Sequence, residues 1–258
     1  MIELESVRKV YQLGETEVEA LCGSDVEIDQ GEFVAVMGPS GSGKSTLMNM
    51  VGALDVPTSG KVSIDEEAVD SMNPDELALL RSRKIGFVFQ EFNLIASMNA
   101  WQNVALPMVF RDKNRKERRK RAEKLLEDVG LGDRIDHKPS ELSGGQRQRV
   151  SIARALANDP EIVLADEPTG NLDTETGSEI MDLLTDLNSR GKTIVMVTHD
   201  PNDAEYADRT IDIVDGETNP SEDSKDKRDE DQTESEDKSP EEGSTEGFIS
   251  RTRDIFKL

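Results

Sequence analysis

The chain has 258 residues, enough to bury a sizeable core as one large domain or two small ones. Asp and Glu number 54 against 31 Lys and Arg, and the net charge of −23 excludes a long, uniform nucleic-acid-binding face. A single cysteine, Cys22, excludes an internal disulfide and a cysteine-built metal site, and it reads as a small core residue.

No run of about 18 apolar residues is present to span a membrane. The first residues, Met1 to Glu5, lack the basic region and apolar stretch of a secretion signal, so the cytoplasm is the expected residence. Acidity of this degree also suits a high-salt cytoplasm, where screening relieves self-repulsion. The melting temperature is accordingly expected to rise between low salt and molar KCl; a flat or falling Tm contradicts that expectation.

Residues 2–36 read as short strands joined by turns, an antiparallel flap that carries Tyr11. A flat ring there could stack on a nucleotide base, although a lone tyrosine serves equally well as half-buried packing. The apolar run from Glu32 to Met37 predicts a buried strand, and Gly38-Pro39-Ser40-Gly41-Ser42-Gly43-Lys44-Ser45-Thr46 follows it. This stretch fits G-x-x-x-x-G-K-[ST] between a strand and a helix start. Its glycines let successive N–H groups turn inward, and the helix N-terminus and Lys44 add positive charge, so an oligophosphate fits there. The Ser45 hydroxyl can then ligate a Mg²⁺ that bridges phosphate oxygens.

Asn73-Pro74-Asp75-Glu76 starts a helix to about Arg83, and Ile85–Phe89 is a buried strand that ends on Gln90. From Glu91 to Lys138 the pattern turns helical, with a charged segment at 111–124 and a close near Gly130. Glu117 and Glu123 interrupt the basic run at 115–121, and a solvated helix face accounts for it more simply than nucleic acid. Ser143-Gly144-Gly145-Gln146 is a capping box for a helix through Ala157, and its two glycines leave bare N–H groups for a second anion site.

Ile162–Ala165 is continuously apolar, as a central parallel strand requires, and it delivers Asp166 and Glu167 to its C-terminal end. Adjacent carboxylates there call for a cation or a reacting water: Asp166 suits the Mg²⁺ shell and Glu167 a general base. Thr193–Thr198 repeats the design and ends on His199, which reads either as a surface histidine or as a γ-phosphate contact. Residues 210–216 close the fold like a hairpin.

Taken together, Tyr11, the 38–46 loop, Gln90, LSGGQ at 142–146, IVLADE at 162–167, NLD at 171–173 and His199 resemble the ATP-binding subunit of an ABC transporter. The resemblance implies an α/β P-loop NTPase over 1–216, with a mostly parallel central sheet. It adds an N-terminal antiparallel β subdomain and an inserted α-helical subdomain at about 91–140, continuing to 157. It implies ATP and Mg²⁺ as ligands, hydrolysis in a head-to-tail homodimer and a separate integral-membrane permease, so the protein would lie peripherally on the inner face of the membrane, with no nucleic-acid partner. In that arrangement Ser143, Gly144, Gly145 and Gln146 of one copy face the phosphate loop of the other. Gln90 joins the Mg²⁺ shell, Asp173 lies at the seam, His199 holds the γ-phosphate and Tyr11 stacks on adenine.

The stretches 11–18 and 87–94 are similar to the lipoprotein-releasing and macrolide-export branch, while Arg147 stands where many members carry Gln. A soluble ABC-type switch in translation or DNA repair, the alternative, would call for paired cassettes or long heptads, and a P-loop kinase or GTPase would leave LSGGQ without a role. Residues 217–246 hold 13 acidic and 4 basic residues, a net −9, and are expected to be a disordered tail. Phe248, Ile249, Thr252, Ile255 and Phe256 fall at helical spacing within 247–258, as either a short docking helix or a frayed end.

Overall fold

The computed structural model describes residues 1–14, 16–111 and 113–220. The N-terminal strands are long: β1 (Ile2–Leu13) and β2 (Thr16–Ile28) pair antiparallel. Their register slips three times between Leu4 and Val10, with Ser6 and Gly23 at positive φ. Such bulges interrupt the side-chain alternation, which is why the sequence reads as several short strands. β3 (Phe33–Met37) leads through the glycine loop into α1 (Lys44–Val51). β4 (Ser59–Ile64) and β5 (Glu67–Ala68) return to the first sheet, whose order is β2-β1-β4-β5.

α2 (Pro74–Lys84) has a full capping box on Asn73 and proline at its start, and it feeds β6 (Ile85–Phe89). The helical segment comprises α3 (Ala100–Ala105), a 3₁₀ turn at Leu106–Phe110 and α4 (Arg115–Asp128). Asn114 caps α4, and Gly130, at φ 77, donates its N–H back to Glu127 as the chain leaves the helix. The basic run is used internally as well as solvated: Arg115 and Arg119 lie over the Trp101 ring, and Arg119 pairs with Glu123. α5 (Gly144–Ala155) follows, two residues shorter than expected because Leu156 and Ala157 form its C-terminal turn.

β7 (Ile162–Asp166), α6 (Thr174–Ser189), β8 (Thr193–Val197), α7 (Pro201–Ala204) and β9 (Arg209–Val214) complete the second sheet with β10 (Glu217–Pro220), in the order β10-β9-β3-β8-β7-β6. The strands β9, β3, β8, β7 and β6 run parallel, and β10 alone is antiparallel. Their alternation divides the core. Phe33, Ala35, Val163, Ala165, Ile194 and Met196 face α3, α4, α5 and α6. Val34, Val36, Ile162, Leu164, Val195 and Val197 face α1, α2 and the antiparallel sheet. Both faces are covered, as uninterrupted apolar strands require.

Two expectations are corrected here. Cys22 is half-buried rather than a core residue: its thiol lies near the Asp215 carbonyl at 3.3 Å, and burial, then the nearby Glu19 charge, pushes its pKa up. Glu217 to Pro220, expected within the disordered tail, instead form a strand that pairs with β9 through main-chain bonds, which do not depend on side-chain charge. Thr218 Oγ1 adds a bond to the Asp25 carbonyl at 2.9 Å. The expectations for 221–246 and 247–258 lie outside the described residues.

Candidate active site

Parallel register sets the site. Phe89 stands opposite Asp166, Asp166 opposite Val197, and Val36 opposite Val197. The residues that follow these strand ends therefore emerge side by side at one sheet edge: Gln90, Glu167, His199 and the loop from Gly38. That is the edge where open α/β sheets bind ligands.

The phosphate loop has the conformation its glycines allow. Gly43 is left-handed at φ 110, and a Cβ there would stand 2.6 Å from the Ala20 carbonyl oxygen of β2. Pro39, Ser40 and Gly41 are exposed, while Ser42 is buried and its Oγ has no hydrogen-bond partner. Ser45 and Thr46 lie in the first turn of α1, which has no side-chain cap and no acidic residue, so its N–H groups are left for an anion. Lys44 Nζ donates to the Gly38 and Pro39 carbonyls at 2.7 and 2.9 Å, lying along the loop it would serve. Gly43→Ala is expected to destabilise the nucleotide-free fold by about 1–3 kcal/mol, measured by urea unfolding; an unchanged midpoint would show that the backbone is not constrained there.

Asp166 and Ser45 line one small cavity of about 60 Å³ with Asn49. Burial, followed by the neighbouring Glu167 charge, raises the Asp166 carboxyl above its usual range, with Lys44 acting against the shift. Glu167 adopts φ 47, its N–H donates to the Val197 carbonyl at 2.9 Å, and its Oε2 lies 2.5 Å from His199 Nδ1. The Gln90 carbonyl accepts from Asn171 Nδ2 at 2.9 Å, and its side chain packs so closely on Gly170 that a Cβ there would be 2.7 Å from Gln90 Nε2.

Ser143 caps α5 reciprocally with Gln146, at 3.2 and 3.0 Å. Within one chain the 143–146 element packs on 171–176 rather than on the phosphate loop: Gly144 meets Leu172, and Gly145 meets the Thr176 methyl. Asp173 caps α6, accepting from Thr176 N and Oγ1 at 3.0 and 2.8 Å, and the Thr176 N–H holds its carboxyl below the usual range. Ser143 is exposed, while Gly145 is buried against Thr176.

Tyr11 is half-buried and anchored in a cluster the sequence did not announce. Its hydroxyl donates to Asp55 at 3.2 Å, Lys9 Nζ lies 5.0 Å from the ring centroid, and Lys9 pairs with Asp55 at 2.8 Å. Burial works to raise the Asp55 carboxyl, but bonds from Lys9, the Val56 N–H and Tyr11 outweigh it and hold the group low. Thr169, beside the Glu167 turn, donates to Asp203, whose carboxyl burial pushes up. None of these partners carried a sequence signal: the β1 register slips between Lys9 and Val10, so even the neighbouring Lys9 and Tyr11 are not marked by alternation.

A buried-strand scaffold, a lysine-bearing phosphate loop and a carboxylate pair at one sheet edge define a nucleotide-binding P-loop protein. Residues 21–170 match the family model for ABC transporter. An uncharacterized ABC transporter ATP-binding protein of Bacillus subtilis, YknY, is 54% identical over 84% of this chain and 94% of its own length. The macrolide export ATP-binding/permease protein MacB of Brucella melitensis is 53% identical over 84% of this chain, which spans 33% of that longer protein. The solved dimer of the ATP-binding cassette MJ0796, in a post-hydrolysis state bound to ADP and Pi, superposes with a TM-score of 0.80 at 50% identity, covering 86% of this chain and 98% of that one. The chain belongs to the ABC transporter family and is an ATP-binding subunit of that family.

Proposed function

We propose that two copies, head to tail, enclose MgATP and hydrolyse it to drive a separate integral-membrane permease of the lipoprotein-releasing or macrolide-export kind. The observation that carries this reading is the parallel register that aligns Gln90, Asp166-Glu167, His199 and the phosphate loop at one edge. Exposed Ser143 supports the shared site, because 143–146 packs on 171–176 in its own chain.

Lys44 and the α1 N–H groups bind and orient the phosphates, and Tyr11, anchored by Asp55, stacks on the base. Glu167 accepts the proton of the attacking water, while His199, held at Nδ1, presents the rest of its ring to the γ-phosphate. Ser45, Gln90 and Asp166 would hold magnesium, which when bound would neutralise charge on the phosphate oxygens. The donor set fits this ion: Ser45 and Asp166, both hard oxygen donors, line one small cavity. A cation at Asp166 and Ser45 would thus complete its shell with nucleotide and water, as magnesium does. EDTA is expected to abolish phosphate release, and release that persists in EDTA would remove the metal from the reaction.

The permease would seat on a groove of about 900 Å³ between α2, β6 and the 3₁₀ turn after α3, lined by Leu54, Leu79, Phe87, Pro107 and Phe110. Phe110 is 84% exposed and Leu79 53%, an apolar display that suits a protein partner. No described helix is long and apolar enough to cross a membrane, so the location at the membrane's inner face would come through this contact. Phe110→Asp is expected to lose co-purification with an integral protein from solubilised membranes while keeping basal ATPase activity; retained co-purification would place the docking surface elsewhere.

A further inference from the structure

Arg154 lies in the last turn of α5, the helix whose first turn carries Gly144 and Gly145. Arg154 is half-buried at the edge of the groove described above; desolvation lowers its pKa, and among the described residues it pairs with no carboxylate. Instead it donates to the main-chain carbonyls of Phe92, at 2.8 Å, and Asn93, with a further bond to Ser151 Oγ at 3.2 Å. Phe92 and Asn93 are consecutive non-glycine residues in the left-handed region, at φ 61 and φ 48. Asparagine tolerates that region, but a bulky Phe92 persists there only where its surroundings hold it.

The turn is held from a second point on the same helix face. Arg147, two helical turns before Arg154, stacks over the Phe92 ring at 5.0 Å. The loop so fixed begins at Gln90, whose other contacts are the Asn171 amide and the Gly170 backbone. The Gln90 carbonyl is thus held by Asn171, and the chain two and three residues on is held by α5 through Phe92 and Asn93. Because the half-buried guanidinium is spent on two backbone carbonyls and not on an ion pair, what it fixes is the main-chain conformation of the turn.

We propose that Arg154 is a positioning residue for Gln90: its guanidinium fixes the left-handed Phe92–Asn93 turn and thereby the reach of the Gln90 carboxamide toward nucleotide-bound metal. The inference rests on the reading of Gln90 given above. It makes α5 a single rod with the proposed anion element at its first turn and the Gln90 loop tied to its last.

The test follows amide exchange of 90–94 in the full chain, together with the Mg²⁺ concentration for half-maximal ATPase activity. Arg154→Met is expected to raise exchange there about tenfold, the scale of one lost charge-assisted bond, while β7 keeps its protection. The Mg²⁺ requirement should rise to match that of Gln90→Ala, with no further rise in the double variant. Adding Asn93→Gly to Arg154→Met should recover much of both losses, since glycine holds φ 48 without a Cβ penalty and Asn93 is exposed. Unchanged exchange, no recovery with Asn93→Gly, or effects that multiply in the double variant would overturn the proposal. Should Arg154→Met fail to fold, Arg154→Lys carries the same test, with a smaller rise expected and an unchanged loop contradicting it. If Gln90→Ala leaves the Mg²⁺ requirement untouched, the metal role of Gln90 falls, and exchange alone then decides whether Arg154 holds the loop.

Discussion

Glu167→Gln is expected to hold ATP about as well as the unaltered chain and to release phosphate about a thousand times more slowly. Gln keeps the shape and the main-chain bond to Val197, and it can still contact His199 across the 2.5 Å now bridged by the carboxylate. What it loses is the capacity to take a proton from water, a contribution of about 10²–10⁴ in rate. Asp166 does not substitute, because it shares the small cavity with Ser45 and is the carboxylate read above as a magnesium ligand. Equilibrium binding of labelled ATP beside phosphate release separates the two effects, and near-normal turnover would remove Glu167 from the base role.

Lys44→Ala is expected to act earlier, on binding. Losing a charge-assisted contact to phosphate costs about 1.5–3 kcal/mol, or roughly tenfold to a hundredfold in Kd. Without nucleotide the ammonium bonds to the Gly38 and Pro39 carbonyls, so the variant also loses a tie across the loop. Titration of ATP by calorimetry reads the change directly. Unaltered affinity would mean that the backbone cradle and helix end suffice by themselves.

What was legible in the sequence was local. The uninterrupted runs at Phe33–Met37, Ile162–Ala165 and Thr193–Val197 announce strands covered on both faces, and the structure has them parallel and adjacent. The capping residues Asn73 and Ser143 announce where their helices start. Less legible was whatever depends on partners far apart in the chain. Arg154 meets Phe92 across 62 positions, Tyr11 meets Asp55 across 44, and Thr169 meets Asp203 across 34. No periodicity marks such pairs, because a hydrogen bond to a carbonyl places no demand on the accepting side chain. The bulged β1–β2 ribbon failed for a different reason: each slip moves the apolar face by one residue, so a continuous strand reads as fragments.

The account depends on two copies closing over nucleotide, with the Ser143–Gln146 element of each completing the phosphate site of the other. Solution mass of Glu167→Gln saturated with MgATP, by sedimentation equilibrium, tests this most directly. The account predicts a dimer of about twice the 28.5 kDa chain that returns to monomer when ATP is removed. A chain that binds ATP fully and still sediments at 28.5 kDa would contradict it.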